Sequence, residues 1–324
     1  MGVRALGRCV ASSREAAQCY NFYRRVFMRY VYADTSIWNR LCDQNVDPRA
    51  FSSHLANRRV VLAVGFNVFY EIAKLFFVGT NEATERGREL LNYMKQYLDL
   101  QIPMVKENGP LLIEEAMHVT GHKRMESCFR DSSQYQTAVR EIEKLYVGDI
   151  GPEVKQFFER RKSAARTSRT VVKERLADRP DLEATFRKIP DEALSGFLKD
   201  ACLAPLGQSL LLGHLRTEFP KNSPNDLSGV AKQLLQSPNC RVSRAMTRAD
   251  LYLIWRCSKR GSLRGDLPDD TFHVVNAAYS DVFLTTEGDQ ADIARHAIEG
   301  SKALVFGQGE MISDRLLTDL GGIA

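Results

Sequence analysis

The sequence predicts an α/β protein: a three-layer α/β/α arrangement on a parallel central sheet, interrupted by a mostly α-helical insertion. Three observations carry this. Short β-branched runs occur near both ends of the chain, at 60–64 and at Val282–Thr285, each too short for a helix. Helical patterns alternate with those runs, as parallel strands require. Between the two ends, from about 106 to 247, helical patterns dominate and strand candidates are few.

Taken in order, residues 30–33 form a short apolar strand that ends at Asp34-Thr35-Ser36, and 37–42 reads as a helix start. The run 60–64 is a buried strand broken by Gly65. Asn67 is placed to cap the next helix, which carries Val68, Ile72, Leu75 and Phe76 at helical spacing. A further helix covers 83–98. The middle of the chain predicts helices at 113–119, 133–146, 153–177, 191–203 and 227–236. Breaks at Gly151-Pro152, Arg179-Pro180, Ile189-Pro190, Pro220 and Pro224 separate them. Helices at 248–257, 270–279 and 289–299 then alternate with strands at Val282–Thr285 and 302–306. The economical topology is one α/β domain built from 28–105 and 246–324, with 106–245 inserted. Residues 1–27 read as a flexible extension. They hold five Arg against one acid and show no apolar period to bury. An Arg-rich, acid-poor start also fits an organellar transit peptide, but Met28 opens directly into the first strand and is the plainer start.

Composition excludes several classes. No apolar run approaches the ~20 residues that span a bilayer, so no membrane partner is expected. The seven cysteines (Cys9, Cys19, Cys42, Cys128, Cys202, Cys240, Cys257) are scattered, with no Cys-x-x-Cys pair. That argues for reduced thiols and a cytoplasmic chain rather than a disulfide framework or a zinc site. His118 and His122 lack the intervening Glu of a zinc helix and read as chance. The net charge of +5 is unevenly spread: 1–30 carries +5, 155–175 carries +6 and 246–324 carries −4.

The chemistry rests on acids placed where strands end or helices begin. Asp34 follows the first strand. Glu71 lies one turn into the helix after the second. Asp270 opens the helix before Val282–Thr285. Glu287 follows that strand, with Asp289 two residues on. Ligands of open parallel sheets bind beyond the carboxyl ends of the strands. Carboxylates gathered there repel one another unless a cation neutralises them, and hard divalent ions with oxygen ligands, Mg²⁺ or Mn²⁺, suit that role. Each acid also has a structural reading: Asp34 and Asp270 as helix caps, Glu71 as a surface charge.

Four segments together resemble the PIN-domain ribonucleases: Tyr-Ala-Asp34-Thr35-Ser36, Asn67-Val-Phe-Tyr-Glu71-Ile, Asp270-Thr-Phe-His273-Val-Val-Asn-Ala-Ala, and Val-Phe-Leu-Thr285-Thr-Glu287. The resemblance covers roughly 28–98 and 246–310, not the middle of the chain. It implies a metal-dependent endoribonuclease acting on single-stranded RNA. Asp34, Glu71, Asp270 and Glu287 would be the catalytic, metal-organising acids, with Thr35, Ser36, Asn67, Thr285 and Asp289 in support. His273 is expected to pack and hydrogen-bond rather than ligate. Glu287 stands where the family usually has Asp, and the 199 residues from Glu71 to Asp270 exceed what a compact domain of this type needs. RNA is the implied substrate; an antitoxin-like protein inhibitor and a second copy of the chain are partners the resemblance leaves open. Two other readings fit the same residues: a catalytically inactive PIN-like protein used for RNA binding or assembly, and a non-nuclease α/β protein whose acids are caps.

The basic segment 155–175 interleaves charge with Phe157, Phe158, Ala164, Ala165, Val171 and Val172. A solvated amphipathic helix explains this pattern; so does a helix that packs on one face and offers Arg160, Arg161, Lys162, Arg166 and Arg169 to an RNA backbone. The two readings separate experimentally. If the segment holds RNA, replacing Arg160, Arg161 and Lys162 by Gln should weaken binding alike for all sequences and flatten the log K against log salt slope by ~2. Affinity titrations at several salt concentrations check this, and an unchanged slope leaves the segment as a solvated face.

Overall fold

Parallel pairing of short strands sets the architecture. Among the described residues, five strands form one sheet: β1 (Arg29–Ala33), β2 (Val60–Gly65), β3 (Met104–Val105), β4 (Val282–Thr285) and β5 (Lys302–Val305). Their order is β3-β2-β1-β4-β5, and every pairing is parallel. The structure is a computed structural model and describes residues 28–125, 127–146, 172, 176, 178–219, 226–261, 267–300, 302–307 and 309–321. The extension 1–27 and the basic side chains Arg160, Arg161, Lys162, Arg166 and Arg169 lie outside the described residues.

Strand side chains alternate between two helical layers, so the sheet is buried on both faces. Val31, Ala33, Leu62, Val64, Met104, Val282, Leu284 and Leu304 face one layer. That layer contains α1 (Thr35–Asp43), α2 (Pro48–Asn57), α3 (Phe66–Lys74), α4 (Asn81–Asp99), α6 (Ser132–Tyr146) and α14 (Ile312–Gly321). Tyr32, Ala63, Val105 and Phe283 face the other. The second layer holds α5 (Asn108–Val119), α7 (Pro180–Lys188), α8 (Leu194–Leu203), α9 (Pro205–Glu218), α10 (Leu227–Gln236), α11 (Arg241–Arg260), α12 (Leu267–Asn276) and α13 (Gly288–Ala297). The three-layer α/β/α arrangement expected from the sequence is therefore present. The helical middle of the chain shares one core with the Tyr32 face of the sheet. No described helix is long and apolar enough to cross a membrane.

The longest helix of the second layer, α11, is buried almost all round, as a core helix should be. It ends at Gly261, whose φ of 70° is the left-handed stop that glycine adopts without strain. Its start is capped from a distance. Glu115 of α5, fully buried, accepts from Val242 N at 2.8 Å, Ser243 N at 2.8 Å, Ser243 Oγ at 2.5 Å and Tyr279 Oη at 2.6 Å. That carboxylate joins α5, α11 and the 3₁₀ turn Ala277–Tyr279, and leaves no orphan oxygen of its own.

Three local expectations need correction. Asn67 does not cap α3. Gly65 holds the N-cap position without a side-chain bond, and Asn67 lies in the first turn, where it donates to Asn276 Oδ1. The helix expected at 270–279 begins earlier, at Leu267, and tightens to 3₁₀ geometry at Ala277, so Asp270 sits within its first turns. The helix expected at 248–257 begins at Arg241, because its cap is supplied by Glu115 rather than by a local residue.

Gly65 is required for space. A Cβ there would stand 2.4 Å from Tyr32 Oη. Tyr32 is fully buried and its hydroxyl is held by His273 Nδ1 at 3.0 Å, so the ring cannot swing aside cheaply. Gly65→Ala should therefore cost ~1–3 kcal/mol by overpacking, read as a lower urea midpoint with unchanged m-value. A midpoint equal to wild type would show that Tyr32 is free to move.

Candidate functional site

The sheet order reverses between β1 and β4: the chain leaves β1 toward β2 and β3 on one side, and β4 and β5 lie on the other. Loops at the carboxyl ends of two such strands diverge and leave a crevice. Asp34 is the first residue past β1, and Thr285 is the last of β4. The backbone ladder continues to this point, with Asp34 N donating to Leu284 O at 3.1 Å. Glu71 comes from α3, which leaves the carboxyl end of β2. Asp270 comes from α12, which must start at the carboxyl end in order to return to the foot of β4.

Asp34 is fully buried and its two oxygens differ. Oδ1 caps α1, accepting from Ile37 N at 3.0 Å and Ser36 Oγ at 2.7 Å. Ser36 Oγ in turn accepts from Thr286 N at 2.9 Å, which ties the loop after β1 to the loop after β4. Oδ2 is buried with no hydrogen-bond partner. Burial pushes the Asp34 carboxyl above its usual range, against the opposing pull of His273, Ser36, Thr285 and Ile37.

His273 stands among the acids. It is 1% exposed. Nδ1 meets Tyr32 Oη at 3.0 Å, and Nε2 lies 3.1 Å from Glu71 Oε1, an ion-pair contact. Burial alone would discharge the ring, but Glu71, Asp34 and Asp270 outweigh it and raise its pKa above the ordinary histidine value. In the charged form Nδ1 donates to Tyr32 Oη, and Nε2 faces Glu71 Oε1 as an ion pair. Burial also opposes the charge on Glu71, yet His273, Thr35 and Lys74 together hold its pKa down to about 2. The imidazole is thus the local counter-charge for three carboxylates from β1, α3 and α12. It packs and hydrogen-bonds, in the manner expected from the sequence.

A second set of bonds joins Asp270 to the end of β4. Gln290 Nε2 donates to Asp270 Oδ1 at 3.0 Å, and Thr285 Oγ1 lies 3.3 Å from Gln290 Oε1. Thr285 Oγ1 also accepts from Glu287 N at 2.9 Å, so Glu287 is placed at the head of α13 through its backbone. Gln290 and Tyr32 were missed by sequence reasoning. Each is a single residue in an otherwise apolar or helical pattern, and nothing local marks it.

Other expected residues are used differently. Asp289 is engaged by Arg256 Nη2 of α11 at 2.7 Å. Asn67 joins α3 to Asn276 of α12, whose Nδ2 donates to Lys106 O at 2.9 Å. The buried Thr35 hydroxyl acts on Glu71, helping to hold that carboxyl ionised. His122 Nδ1 meets Thr120 Oγ1 at 2.9 Å, a local contact that fits the chance reading of the His118–His122 pair. The five cysteines described, Cys42, Cys128, Cys202, Cys240 and Cys257, are unbridged.

Among the described residues, no group of three or more His, Cys, Asp or Glu side chains is gathered closely enough to hold a metal ion. The donor type is nevertheless the one a hard divalent cation takes: carboxylate oxygen apart from His273, with Asp34 Oδ2 an acceptor buried without a donor. No protein-family model, no curated protein and no solved structure matches the chain.

The Glu71 shift fixes a pH dependence. Its folded pKa of about 2 lies below the ordinary 4.5, so its contribution to stability is complete above pH 4.5 and is lost as pH falls toward 2. Denaturant unfolding of the wild type should therefore show stability falling across that window. Glu71→Gln should flatten the fall, and an identical acid limb in the variant would show that the ion pair contributes nothing.

Proposed function

We propose that the chain is a metal-dependent endoribonuclease that cleaves single-stranded RNA at the crevice between β1 and β4. The observation that carries this is the convergence of Asp34, Glu71 and Asp270 on His273, with Asp34 Oδ2 left buried and without a donor. A helix cap accounts for one oxygen of Asp34 and leaves the other unexplained. Buried carboxylates of this kind are unfavourable for stability, and such arrangements cluster where chemistry is done.

Asp34, Glu71, Asp270 and Glu287 are the residues that would hold Mg²⁺ or Mn²⁺. Such an ion, when bound, supplies a water of lowered pKa and charge neutralisation at a phosphodiester. The chain's own groups do the positioning. Ser36 holds Asp34 Oδ1 and the loop after β4, Gln290 holds Asp270, and Thr285 holds the backbone of Glu287. The acids repel an RNA backbone unless positive charge is nearby, and the basic segment 155–175 is the part of the sequence that offers it.

The test is cleavage of single-stranded RNA with Mg²⁺, with Mn²⁺ and with chelator, followed by end-mapping of the products. Asp34→Asn and Asp270→Asn should each reduce the metal-dependent rate by 100-fold or more, an order-of-magnitude expectation for loss of a metal-organising acid. Asp34→Asn keeps the Oδ1 cap and removes a charge that burial disfavours, so its melting temperature should equal or exceed that of the wild type. Metal-independent cleavage, or full activity in both variants, would remove the reading. RNA binding without cleavage would assign the chain to an inactive, RNA-binding role.

A further inference from the structure

Gln290 lies on the first turn of α13, 4% exposed, and its one amide touches two different parts of the site. Nε2 donates to Asp270 Oδ1 at 3.0 Å, and Oε1 faces Thr285 Oγ1 at 3.3 Å. We propose that Gln290 is a positioning residue of the divalent-cation site, orienting Asp270 by tying it to the Thr285 hydroxyl at the end of β4. This rests on the nuclease reading above.

The argument is one of donors and acceptors. An ionised Asp270 can only accept, so the amide nitrogen must face it and the amide oxygen must face Thr285. Thr285 Oγ1 then has one hydrogen to give and gives it to Gln290, while its lone pair receives Glu287 N at 2.9 Å. One side chain therefore fixes an oxygen of Asp270 and ties it to the end of β4. The alternatives fail for stated reasons. Glu at 290 presents like charge to Asp270. Met or Leu of similar size offers Asp270 nothing and releases the Thr285 hydrogen. Asn is one methylene short of bridging both partners.

The experiment uses the full chain and Mn²⁺ itself as probe. Free Mn²⁺ is followed by electron paramagnetic resonance during titration of wild type, Gln290→Met, Gln290→Asn, Thr285→Val and the Gln290→Met/Thr285→Val double variant. Groups that orient metal ligands typically carry 10–100-fold in affinity. Gln290→Met should weaken Mn²⁺ by roughly that factor and lower kcat for RNA while leaving its KM in place. The double variant should be little worse than Gln290→Met, because the two residues act as one chain. A merely structural glutamine predicts a lower melting temperature with wild-type Mn²⁺ affinity, so affinity decides. Should Gln290→Met fold poorly, Gln290→Asn is expected to show the same loss. Mn²⁺ binding by wild type with equal affinity in the Gln290 variants overturns this inference and leaves the nuclease reading standing. A wild type that neither binds Mn²⁺ nor cleaves RNA overturns both.

Discussion

Pairing of β1 with β4 is the constraint on which the rest of the site depends. It sets Val31 against Val282 and Ala33 against Leu284, and so brings the two ends of the chain into register. The ladder runs on to Asp34, whose N–H is received by Leu284, and Ser36 then joins the two outgoing loops. Closing so long a loop is costly in entropy, though the cost grows only slowly with length. The contacts that offset it are the buried strand residues on both faces: Tyr32 and Phe283 stack at 6.0 Å between ring centroids on one side, and Val31, Ala33 and Leu284 are buried on the other. Because side chains alternate, a slip of one residue would exchange these faces and turn Tyr32 away from His273.

The same pairing concentrates charge where the core would favour none. Asp34, Asp270 and His273 are all buried, and Glu71 leans on His273 from the edge. Burial disfavours each ionised form, and only mutual attraction makes the set tolerable. Hydrogen bonding answers part of the demand: Asp34 Oδ1 is capped, Asp270 Oδ1 has Gln290, and His273 has Tyr32. Glu115 shows what a purely structural buried carboxylate looks like in this fold, with both oxygens occupied by donors from α11 and Tyr279. Asp34 departs from that pattern at Oδ2. The contrast within one chain is between a carboxylate whose two oxygens are both satisfied and one with an oxygen left open.

Most strands and the acid positions were legible in the sequence because their signals are local. The β-branched runs at β2 and β4 are bounded by Gly or Ser and Thr, Asp34 follows β1 directly, and Glu71 lies in the helix that leaves β2. What escaped depends on distant partners. β3 is two residues long, too short for any period, and exists because Val64 and Gly65 offer it an edge. The start of α11 carries no capping residue of its own. Asn67 has the composition of a cap but is drawn to Asn276, more than two hundred positions away. Gln290 reads as one polar residue on an amphipathic helix, and its meaning appears only when α12 and β4 are placed beside it.

The helical middle of the chain finally bears on which acids are left for the site. α11 packs against α12 and α13, the two elements that carry Asp270 and the residues after β4. Through Glu115 and Tyr279 it is joined to the turn that follows α12. Through Arg256, which also donates to Tyr252 Oη at 3.0 Å, it takes Asp289. An aspartate so engaged by a buried guanidinium cannot turn to a cation without leaving that charge unpaired, which is costly. Under the proposed nuclease reading the fourth acidic position would then fall to Glu287, whose backbone Thr285 fixes and whose longer side chain has the extra methylene of reach. On that reading a glutamate there follows from the layer packed behind it: the arginine of α11 occupies the nearby aspartate, and the acid left to the site extends from the head of α13.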